Sequence, residues 1–145
     1  MDESFASLPR MGWVAQATPV TSHAALAAHF GARSFYAKRD DVTTPFVGSS
    51  KTRKLDYLLA LPKYKSAETW ASVGAIGSGS LVAIASAAEH LNKRMHAYMF
   101  WEEMSARVAN NLAYTATRAE RVFFSPNRIA LGLRYPDIVL SLIHI

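Results

Sequence analysis

The stretch Gly48-Ser49-Ser50-Lys51-Thr52-Arg53-Lys54-Leu55-Asp56-Tyr57-Leu58 runs a small-residue loop into a helix that opens on three cations. The helix is predicted from Lys51 to about Leu61, with Pro62 as its stop. Cations in a first turn oppose the helix dipole, so their placement points to an anion bound there. Lys51, Lys54, Leu55 and Leu58 fall at i, i+3, i+4 and i+7. That spacing puts them on one face and predicts two part-buried lysines beside two leucines. A lysine desolvated among cations, here Arg53 and Lys54, becomes a usable amine nucleophile, and Schiff-base formation with an aldehyde cofactor is its natural use. A solvated first-turn lysine is the plain alternative.

Upstream, residues 1–20 read as an irregular lead-in with Trp13 and Val14 as apolar anchors. Thr21 or Ser22 can cap a helix through about Phe30, with Gly31 at C′ and with Leu26 and Phe30 facing the core. Ser34 to Lys38 has the composition of a strand. Asp40 and Asp41 are adjacent, so they do not share a face as a catalytic pair would. They are expected to pair with nearby arginines or to cap the loop that runs into the Thr43-Thr44-Pro45 turn.

Downstream, strands are expected at Thr69–Gly74, Arg94–Trp101 and Arg121–Ser125. Helices are expected at Ser78 to about Leu91, closed by Asn92, and at Ser105 to about Ala119. Strands alternating with helices of this length imply an α/β fold built on a parallel βαβαβ three-layer unit. The expected organisation is an N-terminal segment over 1–50, a small βαβ domain over 51–126, and a weakly ordered end over 127–145. The last residues, Leu140-Ser141-Leu142-Ile143-His144-Ile145, resemble read-through into adapter DNA and are expected to be a spurious tail on a truncated chain. Aromatic residues are expected to be mostly core.

The composition is that of a globular chain: half of the 145 residues are hydrophobic and 19% are charged. Cysteine is absent, which excludes a disulfide framework and thiolate chemistry. The acidic start lacks the plan of a secretory signal, and no apolar run is long enough to span a bilayer, so a cytoplasmic location without a membrane partner is expected. The net charge of +5 is spread along the chain rather than gathered into a basic stripe, which argues against a nucleic-acid partner. The five histidines show no metal-ligand spacing, and no metal site is expected. Glu102 and Glu103 are expected at the exposed start of a helix.

Gly74-Ala75-Ile76-Gly77-Ser78-Gly79-Ser80 joins a strand to a helix, and its free amides at a positive dipole end can hold an anion. It contains a G-x-G pair, but Val82 stands where a dinucleotide fingerprint has its third glycine. A tight turn capped by a serine is the structural alternative.

Together, AKRDD at 37–41, the lysine motif extended to Ala60 and GAIGSGS at 74–80 resemble, in order and spacing, the fold-type-II pyridoxal-phosphate enzymes. The closest branch is the aminocyclopropane-carboxylate deaminase and D-cysteine desulfhydrase family, with its KRDD, GGNKxRKLE and GA-x-QSNH. The resemblance covers about residues 8–125 and implies the N-terminal part of a tryptophan-synthase-beta-like fold. It further implies pyridoxal 5′-phosphate as cofactor and a small amino acid as substrate, deaminated to a 2-oxo acid and ammonia. Lys51 matches the Schiff-base lysine, Lys54 a phosphate contact, and Ser78 a nucleophile or proton-transfer group beside the substrate. Ser50 and Gly79 fall at cofactor-contacting positions, and Ser78, Gly79 and Ser80 would receive the substrate carboxylate. Ser49 and Ser50 stand for the family's Gly and Asn, Gly77 for its Gln, and Gly79 and Ser80 for its Asn and His. The alternative reading is a non-catalytic anion-binding domain or an inactive fragment of such an enzyme, with little turnover expected of this chain alone. A homodimer is compatible with the full-length form.

Overall fold

The structure, a computed structural model, describes residues 7–14, 17–43, 46 and 51–136. In chain order its elements are β1 (Val20–Ser22), α1 (Ala24–His29), β2 (Tyr36–Lys38), α2 (Lys51–Leu58), α3 (Pro62–Lys65), β3 (Thr69–Ala75), α4 (Gly79–His90), β4 (Arg94–Phe100), α5 (Ala106–Arg118), β5 (Arg121–Ser125) and α6 (Arg128–Arg134).

Strands β3, β4 and β5 form a parallel sheet in that order. Side chains alternate between the faces of a strand, so the register sorts the sheet residues into two sets. Trp70, Met95, Ala97 and Met99 share one face and are buried, Ala97 and Met99 completely, beneath α4 and α5. Leu81, Ala85, Ala88 and Val108 supply the helical side of that core. Tyr98 and Phe123 are stacked on the other face, with ring centroids 4.4 Å apart. Tyr135, just beyond α6, meets both rings edge-on at 4.9 and 5.7 Å. Helices therefore lie on both sides of the sheet, the three layers that the βαβ pattern predicts.

The caps follow the sequence. The hydroxyl of Ser78 accepts from the Leu81 amide at the start of α4, and that of Ser105 accepts from Val108 at the start of α5. Both α1 and α4 close on a left-handed residue, Gly31 (φ 63°) and Asn92 (φ 52°). At each exit the next amide reaches back five residues along the chain, Ala32 to Ala27 and Lys93 to Ala88, both at 2.8 Å.

Four expectations for the N-terminal half are corrected. Thr21 and Ser22 do not cap α1; they belong to β1, which pairs antiparallel with β2. Leu26 and Phe30 face solvent, at 39% and 66% exposure, because α1 packs through its small residue Ala27. Pro62 does not end α2, which stops at Leu58. It opens α3 instead, where its missing N–H costs nothing. The inward face of α2 is Thr52, Leu55 and Asp56, so Lys51 and Lys54 are exposed rather than part-buried beside leucines. The aromatic residues are also less uniformly buried than expected: Phe30, Tyr36, Trp101 and Phe124 are all exposed.

Asp56 causes the rotation of α2. It is wholly buried, and its carboxylate accepts from Arg10 Nε and Nη2 at 2.9 and 2.7 Å and from the Trp13 amide at 2.9 Å. A buried carboxylate needs such donors, so the helix turns that edge inward and carries Thr52 with it. The lead-in is thereby bound to α2, and α2 packs on α4.

Candidate functional site

In an open parallel sheet, ligands collect beyond the carboxyl ends of the strands. Three connections meet at that edge here: the turn Ile76–Ser78 after β3, residues 101–105 after β4, and Pro126–Asn127 after β5. The turn is built most tightly. Ser78 holds a β-region conformation (φ −64°, ψ 118°), and its own amide donates to Ala75 O at 2.9 Å. The Ser78 hydroxyl takes the Leu81 amide and its carbonyl takes that of Val82. Among the described residues this leaves the amides of Gly79 and Ser80 in the first turn of α4 as the donors for a bound group.

Gly77 is held from both sides of its peptide. Its N–H donates to Glu102 Oε1 at 2.7 Å, and its carbonyl accepts from Arg107 Nη1 at 3.1 Å and Asn111 Nδ2 at 2.8 Å. A Cβ there would run into Glu102 Oε1 and lie 2.7 Å from Val108 Cγ2 and 3.0 Å from its Cα. Two residues on, a Cβ at Gly79 would meet nothing within 4 Å. Glu102 was expected at the exposed start of a helix. It instead precedes the Ser105 cap, half-buried, and turns back to the neighbouring turn. The signal for it lay in that cap, which excludes Glu102 from the helix.

The cations of α2 divide. Arg53 is paired with Asp40 through Nη2 at 2.7 Å and Nε at 3.2 Å, and it also donates to the Thr18 hydroxyl at 3.0 Å. The Arg53 bond holds the Asp40 carboxyl below its ordinary value of 3.8. Arg39 does the same for Asp41, with bonds of 2.8 and 2.6 Å. Both acids thus pair with arginines, as the sequence suggested. Arg53 is consequently not a free cation beside Lys51. Lys51, the first residue of α2, and Lys54, one turn on, are exposed, and among the described residues neither has an ion-pair or hydrogen-bond partner. Ser50 and the rest of the Gly48–Ser50 loop lie outside the described residues. The hydroxyl of Thr52, beside Lys51, is fully buried and has no hydrogen-bond partner among the described residues. A shallow depression of about 460 Å³ lined by Ser22, Ala27, Arg33, Phe35 and Tyr36 lies at α1 and holds none of these residues.

No helix among the described residues is long and apolar enough to cross a membrane. No protein-family model matches the chain. The D-cysteine desulfhydrase of Serratia proteamaculans (strain 568) is 32% identical over 133 residues, which make up 92% of this chain and 36% of the relative. That of Yersinia enterocolitica is 30% identical over 140 residues, 97% of this chain and 38% of the relative. The chain therefore spans little more than a third of the length of these curated relatives. A solved ACC deaminase homologue superposes with a TM-score of 0.72 at 24% identity, over 95% of this chain and 42% of that one. The chain is thus similar in sequence to D-cysteine desulfhydrases and shares its fold with part of an ACC deaminase homologue, which bears out the resemblance to fold-type-II pyridoxal-phosphate enzymes drawn from its motifs.

Proposed function

We propose that this chain forms part of a pyridoxal 5′-phosphate-dependent lyase or deaminase acting on a small amino acid of the 1-aminocyclopropane-1-carboxylate or D-cysteine type, with Lys51 as the covalent anchor of the cofactor. The observation that carries the reading is the division of cations on α2. Arg53 is committed to Asp40, whereas Lys51 stands exposed at the first residue of the helix and has no ion-pair or hydrogen-bond partner among the described residues. The names of the desulfhydrase relatives support it.

The residues present fit such a cofactor. Its aldehyde requires a free primary amine, which Lys51 provides, and its phosphate requires donors and positive charge, which Lys54 and the start of α2 provide. Gly79 leaves room where a side chain would meet nothing. When bound, the group supplies an electron sink for charge developing at the substrate Cα. Lys51 and Lys54 would hold it, with Ser50 and Gly79 as further contacts. The hydroxyl of Ser78 and the amides of Gly79 and Ser80 would receive the substrate carboxylate. The Lys51 amine would take and return the proton at the substrate Cα. We assign residues 1–50 to a larger domain of the whole protein and 51–126 to its small βαβ domain.

The test is to add pyridoxal 5′-phosphate, reduce with borohydride and map the peptides. Label is expected on Lys51 and absent from Lys51→Ala; label elsewhere, or none, removes the reading. The rival is a non-catalytic anion-binding domain. It is favoured by the bare backbone at Gly79, where the resembled family carries asparagine. It predicts colourless protein whose melting temperature still rises with inorganic phosphate, by linkage.

A further inference from the structure

The turn that would receive the substrate carboxylate is held by three side chains that the motifs do not contain. We infer that Glu102 is a positioning residue. With Arg107 and Asn111 it clamps Gly77 by both its N–H and its C=O, in the two peptide groups that flank its Cα, and so fixes the directions of the Ser78 hydroxyl and the Gly79 and Ser80 amides. Its functional part rests on the reading given above; the clamp itself stands on geometry.

Three observations converge on it. Glu102 Oε1 lies 2.7 Å from the Gly77 nitrogen, the distance of a charge-assisted bond. Arg107 and Asn111, on the first and second turns of α5, take the carbonyl of the same residue. Gly77 is buried, and Val108 closes over the space a side chain would occupy, so the clamp can form only around a glycine. The peptide before Ser78 is therefore fixed from outside the turn, by the loop after β4 and the start of the following helix. Inside the turn the N-cap bond is long by comparison, at 3.4 Å, and the 2.9 Å bond from the Ser78 amide to Ala75 O leaves both polar groups of Gly77 to partners outside it. A glycine-rich turn is otherwise free to populate several conformations, and its amides would then have no common direction. Arg107 and Asn111 also place positive charge and a donor against the carbonyl, so the two peptide groups flanking the Gly77 Cα are each held, one at its N–H and the other at its C=O.

The experiment uses the 145-residue chain with Glu102→Ala and Glu102→Gln, the latter keeping an acceptor oxygen without the charge. Amide hydrogen exchange resolved by NMR reads the clamp directly. The Gly77 amide should exchange about tenfold faster in Glu102→Ala and regain most of its protection in Glu102→Gln, with the sheet amides unchanged. Titration with pyridoxal 5′-phosphate reads the consequence. The shifts of the Gly79 and Ser80 amides should saturate at about tenfold higher cofactor concentration in Glu102→Ala, and near the wild-type concentration in Glu102→Gln. Equal Gly77 exchange in wild type and Glu102→Ala would overturn the clamp. So would a loss of protection spread over β3, β4 and β5, since that marks a general structural role. Faster Gly77 exchange with an unmoved titration overturns positioning while leaving the contact. Absence of Lys51 labelling in the wild type sinks the proposed function and leaves the exchange result standing, so the two failures are distinguishable.

Discussion

The two motifs are held in opposite ways, and the contrast explains what each can do. On α2 the anchoring is done by side-chain carboxylates that reach across the chain: Asp56 gathers Arg10 and the Trp13 amide from 46 and 43 residues away, and Asp40 takes Arg53. The result leaves Lys51 and Lys54 without an ion-pair partner among the described residues. At the turn before α4 the anchored object is the backbone itself, gripped at Gly77 by Glu102, Arg107 and Asn111. One region frees side chains by fixing their neighbours; the other frees amides by fixing a peptide.

The largest expected effect comes from cutting the anchor of α2. Asp56→Ala leaves the Trp13 amide without its acceptor and the Arg10 guanidinium with only the Val14 carbonyl, and should cost about 3 kcal/mol in urea unfolding. A loss below about 1 kcal/mol would mean that α2 is held by its apolar contacts alone.

The corresponding cut at the turn is Gly77→Ala. Its methyl would collide with Glu102 and with the Val108 backbone, and overpacking of this kind costs about 2 kcal/mol. Gly79→Asn restores the residue of the resembled family where there is open space, and should change stability by less than about 0.5 kcal/mol. Parity between the two variants would erase the distinction drawn between these glycines.

Removing the cap by Ser78→Ala should cost about 1 kcal/mol in the same unfolding measurement. The acid pair is read by pH. Asp40 has its folded-state value lowered, so its contribution is present above the ordinary value of 3.8 and is lost as the pH falls through the lower folded value. The stability gap between wild type and Asp40→Asn should therefore be constant near neutrality and close below about pH 4. A gap that persists at pH 2 would assign the effect to packing. The smallest expected effect on stability is that of Lys51→Ala, within about 0.5 kcal/mol, as befits an exposed side chain.

How much was legible follows from the range of the forces involved. The parallel unit could be read because its signals are local: serines at the N-caps, Asn92 at an exit, and strands of apolar residues buried by the helices beside them. The face of α2 could not be read from periodicity. The lysines and leucines at helical spacing outweighed Asp56, whose burial depends on partners in the lead-in. The two motifs were legible as ancestry, while Glu102, Arg107 and Asn111 reach the turn from the next connection, across a distance no local pattern spans. Of the antiparallel pair β1 and β2, the second lies within the strand expected at Ser34 to Lys38, whereas β1 was missed, since three residues carry too few alternations to register.

The left-handed exits of α1 and α4 bear on how far this sequence can drift. They use the same bonding with two different residues, glycine at 31 and asparagine at 92. Glycine adopts that conformation without strain but loses more freedom on folding, whereas asparagine gives up some ease of fit for a more restricted unfolded chain. The two terms oppose each other, so Gly and Asn can exchange at either exit with little net change while the direction of the outgoing chain is kept. A β-branched residue has no such compensation, and the route into β4 would be lost with it.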